Sequence, residues 1–600
     1  MPTPHIVLFS EDVGDEWHSG ALIQAFEKQG ARVTRVALAN CGFDTRSPGG
    51  LTIPGFDDRL PDGAFVRAIS TGSLEQITVR LGILHALQHA GVLVWNSADA
   101  IERCVDKAMA LQCFHRGGLP VPTSLTTETL ANAQAFTSQS GNDTGVVLKP
   151  LFGSQGNGIR RIAPNDILPP EDDVGAVYHL QHYLPPPEGG PFSDLRLLVS
   201  GHRVLAAMQR QSDTWPTNVH QGGAPTVLEI TDDLADLAVR AAQAVGANYA
   251  GVDIMMDAHA NPHLIEINSN PAWKGVQSVT GWDIAEQLVA DFLNRQRQAS
   301  IETAFTSACA SELTAIKPGN VHIFADGHRM RVEHFAKSAL AAGPHIADPD
   351  RSVGGRIKAS VAATVAAVDC NTNLGICLLC APLAKAAEAQ TAGEKSAGDK
   401  STQGEASKAR PQTADGLRKR LDLVLTELTI ADAKNAYAAI RLASPAGLGR
   451  AASQDINAAP RVTLREVMAL SADRDRIGKA YTDTFEDIFA HGLPTYTEAL
   501  ARTDDPSVAV SYLHMVFLSR FPDSHITRKH GSEAANHVMT EARSLLGANP
   551  SQLLAFDADL KHRGLNPGTT ADFVVATVFA HELISPTSRA CGHVYACLKS

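Results

Sequence analysis

Three observations predict a multi-domain chain with an α/β and α+β N-terminal half and an all-α helical C-terminal half. Short apolar strands alternate with helical stretches through the first half. From Arg295–Ile301 onward, Ala-rich segments with helical periodicity take over and strand patterning fades. The length of 600 residues leaves room for roughly three to five domains of about 150 residues each. With 44% hydrophobic and 19% charged residues, the composition is that of ordinary globular protein.

Lysine and arginine number 52 against 64 aspartates and glutamates, a net charge of −12. Such a chain has no general pull toward nucleic acid or anionic lipid, so neither is expected as a partner. The N-terminal MPTPHIVLFSEDVGDE has no basic region before its apolar stretch, unlike a secretory signal. No apolar run approaches the roughly 20 residues that span a bilayer, so a soluble, cytoplasmic protein is expected. Nine cysteines, an odd number, do not form a disulfide framework. Cys377 and Cys380 make a C-x-x-C inside an apolar run and are expected as buried helix cysteines rather than a redox or zinc pair.

Along the chain, His5–Phe9 reads as a strand, His18–Gln29 as a helix and Ala31–Val36 as a second strand, the start of a small parallel sheet over residues 1–95. A second domain, 96–297, opens at Asn96, where Ser97 can cap a helix from Ala98 to about Arg116, ended by Gly117-Gly118-Leu119-Pro120. Gly145–Pro150 is a strand carrying Lys149, followed by a glycine-rich turn with Gly153, Ser154 and Gly156. Such a turn can lay N–H groups against phosphates, although its spacing matches neither the dinucleotide fingerprint nor the P-loop, and alone it also reads as a plain turn.

Gly251–Met256 and His263–Asn268 form two strands of a hairpin about the polar Asp257–Pro262. A hairpin symmetric about that loop sets Asp253 opposite Glu266, with Asn268 on the same face and Ile265 and Ile267 on the other. Opposed Cβ atoms lie about 4.5–5.5 Å apart, and like charges so placed are unfavourable without a cation between them. The three are hard oxygen ligands that suit magnesium. A solvated polar face is the plain alternative.

Residues 96–293 resemble the RimK-type ATP-grasp ligases. The motifs come in order: Asn96-Ser-Ala, Asp106-Lys107, Gly118–Thr123, Val147-Leu-Lys-Pro150, Leu180–Leu184, Ser193–Leu198, Ala207–Arg210, Asn218–Gly223, then Asp253, Glu266, Asn268 and Asn270-Pro271. The resemblance implies an ATP-grasp fold that activates a carboxylate as an acyl phosphate for attack by an amine, often that of glutamate. It implies Lys107 and Lys149 on ATP, Gly153, Ser154 and Gly156 over the phosphates, and Gln181 and Tyr183 in the adenine-reading segment. It further implies Arg196 on a substrate carboxylate, Arg210 on phosphate as a catalytic residue, Asn218 in the nucleotide site, and Asp253, Glu266 and Asn268 as magnesium ligands. Trp215 and Trp273 flank the expected substrate mouth, as stacking or packing residues alike.

In the second half, domain 301–600, Ile477, Tyr481, Phe485 and Ile488 recur at steps of four and three and predict one helix face. Lys385–Gly416 is polar, almost free of large apolar residues, and expected as a disordered insertion. Polar residues gather in short breaks: Lys317, Asn320 and His322 around Pro318-Gly319; Asn371–Gly375; Asp432 with Asn435 on one helix face; Asp475; Asp523, His525, Arg528 and Lys529; and Asn566–Asp572. Each acid alone could be a helix cap or a solvated charge.

From about Ile301 to the end these segments resemble the triphosphoribosyl-dephospho-CoA synthase family, through Lys317-Pro-Gly-Asn-Val321, Asn371-Thr, Asp432-Ala433, Gly447-Leu-Gly449, the Asp475 helix and Pro567-Gly-x-x-Ala-Asp572. That implies an all-α fold in which an acceptor hydroxyl displaces adenine from the ribose of ATP, with Asp432, Asp475 and His525 catalytic. Lys317, Asn320, His322, Asn371, Arg528 and Lys529 would hold the nucleotide. ATP and magnesium, or manganese in its place, are the implied cofactors. The family's Asn-Thr-His-Lys-Gly is Asn371-Thr-Asn-Leu-Gly375 here, which questions the CoA acceptor. The departure resembles a branch found with one-carbon cofactor genes. The expectation is a bifunctional enzyme of cofactor biosynthesis, such as that of tetrahydromethanopterin or methylofuran, acting on small-molecule carboxylate and amine substrates and a ribosyl acceptor. A ligase for proteins or peptides, with a non-catalytic nucleotide-binding or scaffolding helical half, stays open, as does homo-oligomerisation.

Overall fold

A computed structural model of the chain describes all residues except 1–2, 12–15, 139–143, 154–157, 165, 187–190, 213–214, 216–223, 329, 389–412, 444–455, 504 and 586–600. It divides into two compact units, Pro4–Arg295 and the remainder from Gln296. The change of texture at Arg295–Ile301 falls inside one helix, Ile284–Thr314.

The first unit opens with a parallel four-stranded sheet, in the order Arg32–Val36, His5–Phe9, Gly63–Val66, Leu93–Trp95. His5–Phe9 is buried on both faces, as parallel strands are. Ile6 and Leu8 pack with Phe26 and Phe65, while Val7 and Phe9 pack with Ile83 and Leu87. Each such burial contributes about 1.5–3 kcal/mol.

Two antiparallel sheets follow. One orders Ser124–Thr127, Tyr178–His182, Val146–Lys149 and Arg160–Ile162. The other orders Ala224–Val227, Arg203–Ser212, Phe192–Ser200, Tyr249–Met256 and Pro262–Asn268. Asn96 ties the last of these to the start of the domain. Its buried amide donates to the carbonyls of Tyr249 and Ser269 and accepts from the N–H groups of Asn248 and Tyr249.

The expected helix from Ala98 to Arg116 is two helices. Ser97 caps Ala98–Val105, then Asp106 turns extended and caps Lys107–Arg116 by accepting from Ala108 and Met109. The Asp106 carboxylate favours ending one helix and starting the next.

The hairpin does set Asp253 opposite Glu266, but by another route. Met256 pairs with Pro262, so the tight end alone would set Ile265 across from Asp253. A bulge after Asp253 adds one residue to the second strand and restores the pairing. It also breaks the alternation: Leu264 and Ile267 enter the core, and Ile265 does not.

In the second unit, among the described residues, there are helices and two isolated bridges but no strand. Leu374–Glu388 and Gly568–Ile584 are apolar nearly all round and run through its core. Ile477, Tyr481, Phe485 and Ile488 are all buried, but not on one helix: Arg476–Thr482 ends, Thr484 and Phe485 take positive φ, and a π turn follows at Asp487–Gly492. Both ends of the stretch expected as an insertion, Lys385–Gly416, are helical. Lys385–Glu388 is helical, with Glu388 paired to Arg356 at 2.6 Å, and Ala414–Thr426 is helical again, while 389–412 lie outside the described residues. Cys377 and Cys380 are buried in the core helix, where burial pushes both thiols up. Among the described residues no helix is long and apolar enough to cross a membrane.

Candidate active sites

A row of charges crosses the five-stranded sheet of the first unit. The register sets Asp194 opposite Arg210, Arg196 opposite Asp253, and Asp253 opposite Glu266. Alternation sends Leu195, Leu197, Val252 and Ile254 to the core and leaves the charged residues on the other face. Arg196 grips Asp253 with Nε and Nη2 at 2.7 and 2.6 Å. Arg210 does the same to Asp194 and also reaches Asp253 at 3.3 Å. Burial works against Asp253, but the Arg196 and Arg210 guanidiniums hold its carboxyl below the ordinary value. Burial and the Asp253 charge push Glu266 up, against Lys107 and Lys149. Among the described residues neither Glu266 nor Asn268 has a side-chain hydrogen bond.

Lys149 ends the Val146–Lys149 strand, fully inside the protein. Its Nζ donates to the Gln181 side chain. Burial lowers it to about 8, with Glu266 and Asp253 opposing and Lys107 adding to the effect. Lys107 donates to the Gly153 carbonyl at 2.9 Å. Tyr183 lies under the Arg161 guanidinium, 3.9 Å from its ring centre. Thus Lys107, Lys149, Gln181, Arg196, Arg210, Asp253 and Glu266 belong to one charged cluster. Ser154, Gly156 and Asn218 lie outside the described residues.

The fork of Arg196 is already filled by Asp253, and that of Arg210 by Asp194, so neither guanidinium stands open. Trp273 is a packing residue, buried against His18 and Arg67, whereas Trp215 stands 6.2 Å from Tyr183. Asp194 was missed. The alternating acid and base of Asp194-Leu195-Arg196 held the signal, since both face the same way on a strand.

The second unit holds an open cavity of about 740 Å³. Asn320, Asn371, Asp475, His525 and Arg528 all line it. Asp475 caps the Arg476–Thr482 helix and pairs with Arg528. Burial lowers His525. Asn320 donates to Asn566 at 2.7 Å, and Gly319, at φ 85°, brings its turn against Pro567, where a Cβ would come within 2.6 Å.

Other expected residues are elsewhere. Asp432 is a cap, accepting from the N–H groups of Gly354 at 2.8 Å and Thr429 at 3.0 Å and from the Thr429 hydroxyl. Lys317 is buried in a pair with Glu312 and also donates to the Val321 carbonyl. His322 is buried 3.4 Å from Asp557. Lys529 is exposed and does not line the cavity. At the family's His-Lys positions, Asn373 donates to Thr364 and Leu374 is buried. Gly447-Leu-Gly449 lies outside the described residues. Asp572, the acid that closes the Asn566–Asp572 break, lines the cavity as well, and so does Glu312, which the sequence did not single out.

Residues 104–292 match the RimK-like ATP-grasp domain, and residues 298–590 match CitG, ATP:dephospho-CoA triphosphoribosyl transferase. A tetrahydromethanopterin:alpha-L-glutamate ligase of Methanococcus maripaludis is 33% identical over 241 residues, 39% of this chain and 80% of that one. The chain belongs to the RimK-like ATP-grasp ligases. Another tetrahydromethanopterin:alpha-L-glutamate ligase, of Methanosarcina acetivorans, is 26% identical over 46% of this chain and 94% of that one. A structure of the ATP-grasp ligase PsnB with minimal precursor, Mg and ADP is 21% identical, with a TM-score of 0.40 over 49% of this chain and 97% of that one. This RimK-like ligase is thus an enzyme fused to a CitG transferase domain.

Proposed function

We propose that the first unit joins a carboxylate to the amine of glutamate or a similar amino acid at the expense of ATP, and that the second transfers a ribosyl group from ATP to a hydroxyl acceptor. Both would serve the assembly of a small cofactor holding glutamyl amide and ribosyl links, such as tetrahydromethanopterin or methylofuran. The charge row meeting Lys107 and Lys149 carries the reading. The name of the Methanococcus relative supports the substrate class.

Asp253, Glu266 and Asn268 would hold magnesium, and the fit is chemical: three hard oxygen donors on adjoining strand positions, two of them unengaged among the described residues. When bound, the ion would offset charge on the nucleotide phosphates. Lys149 and Lys107 would place cationic Nζ groups against the same phosphates. Arg210, held rigid by Asp194, would stabilise charge developing on the acyl phosphate. Arg196 could take a substrate carboxylate only on leaving Asp253. In the second unit, Arg528, Asn320 and Asn371 would hold the triphosphate and ribose, and His525 would face the reacting centre.

Nucleotide product analysis tests both halves. The whole protein is incubated with ATP, magnesium and a small-molecule extract, and ADP and adenine are separated. ADP lost only in Glu266→Ala and adenine lost only in His525→Ala are the expected results. ADP unaffected by Glu266→Ala would overturn the first assignment. Absence of adenine from the wild type would leave the helical unit as a binding module.

A further inference from the structure

One acid in the cavity of the second unit has no structural task. Asp572 lies in the second turn of Gly568–Ile584 and lines the cavity. Among the described residues its carboxyl makes no hydrogen bond. Each acid around it is engaged. Asp475 caps a helix and pairs with Arg528. Asp523 accepts from His525, Ile526 and Thr570. Glu312 pairs with Lys317. The helix Leu374–Glu388 starts against the carboxyl: a Cβ on Gly375 would fall 2.0 Å from Asp572 Oδ2. Glycine there leaves the acid its space.

Adenine displacement has a definite proton balance. The C1′–N9 bond breaks and adenine keeps the electron pair, so it must gain a proton. The acceptor oxygen bonds to C1′ and its hydroxyl must lose one. The net change is one proton passed from hydroxyl to adenine. We propose that Asp572 carries that proton, giving it to the departing adenine and, as carboxylate, taking another from the attacking hydroxyl. This rests on the reading of the second unit as a ribosyl transferase.

The surroundings favour an acid that starts protonated. Burial, then the charge of Asp523, with Glu312 and Asp475, raise Asp572 well above the usual carboxylate range against Arg528. Cys377 and Cys380 face it from the core helix, both held as neutral thiols by burial. His525 is lowered by burial, and a neutral imidazole is a weak acid.

The test uses the full chain with ATP and magnesium alone, so that water takes the acceptor's place, and compares wild type with Asp572→Asn. Adenine is measured by chromatography, and the infrared difference between the two proteins at pH 7 reports the carboxyl. We expect a protonated-carboxyl band only in the wild type and a loss of adenine release of about 100-fold or more. The unfolding midpoint should hold, because one neutral group replaces another of the same shape. A carboxylate band in place of the protonated one, or adenine release undiminished in the variant, overturns the role of Asp572 alone. No adenine from a wild type whose carboxyl is protonated overturns the transferase reading and the role with it.

Discussion

Lys149→Met should stabilise the apoprotein while weakening its grip on nucleotide. Burial holds the Lys149 ammonium at about 8, against 10.5 for an ordinary lysine. A lowered folded value means that the unfolded chain binds the proton more tightly between those two values. Stability is therefore fullest above pH 10.5 and is lost as pH falls through about 8. At about 1.4 kcal/mol per unit, the deficit at pH 7 is on the order of 3 kcal/mol. Methionine has similar length and no charge to desolvate, so it removes the deficit, less about 1 kcal/mol for the lost bond to Gln181. Nucleotide affinity moves the other way. With a value near 8, about nine in ten molecules carry the charge at pH 7 and about one in ten at pH 9. If only the charged form binds phosphate well, the apparent Kd of the wild type rises roughly tenfold between those pH values. Calorimetric titration with a non-hydrolysable ATP analogue and magnesium measures this. The difference between wild type and variant isolates the first unit, because the second contributes equally to both. A variant that melts lower at pH 7, or keeps the tenfold pH dependence, would refute the reasoning.

Asp432→Ala removes bonds to the N–H groups of Gly354 and Thr429, so urea unfolding should show a loss of about 2–4 kcal/mol, with adenine release per folded molecule unchanged. Asn96→Ala strands backbone groups of Asn248, Tyr249 and Ser269 and should cost at least about 3 kcal/mol, read as a lower melting temperature. Cys377 and Cys380 should resist an aromatic disulfide reagent in the native protein and react on addition of denaturant, since their thiols are buried and held neutral.

Strand position was the most legible feature, because alternation is a local rule. It was enough to set Asp253, Glu266 and Asn268 together, although the pairing depends on a bulge that no residue type announces. Helix breaks were less legible. Ile477, Tyr481, Phe485 and Ile488 keep a helical period because all four are buried, and periodicity reports burial rather than an unbroken backbone. Asp432 and Asp572 show the limit most clearly. Both are acids near helix starts in polar breaks, and local sequence does not separate them. Only packing decides that Gly354 lies under one and a cavity beside the other.

The charge row also governs what a loss of activity can mean. Asp194 and Asp253 neutralise Arg210 and Arg196, which leaves Glu266 to face Lys107 and Lys149. The sum is one positive charge, a resting state that a polyanion can enter without the sheet having to separate paired charges first. Because the two Arg–Asp pairs are largely buried, each of their ions is tolerable only while its partner is present. Removing one partner of a buried pair costs about 3–5 kcal/mol through the charge left behind. An inactive Arg210→Ala protein would therefore not by itself assign Arg210 a place on the acyl phosphate, since Asp194 would be stranded in the same step. The double variant Asp194→Asn with Arg210→Met removes the stranded charge as well. Restored folding without restored ligase activity is the result that assigns Arg210 to the reaction, and restored activity would reduce it to a strut for the sheet.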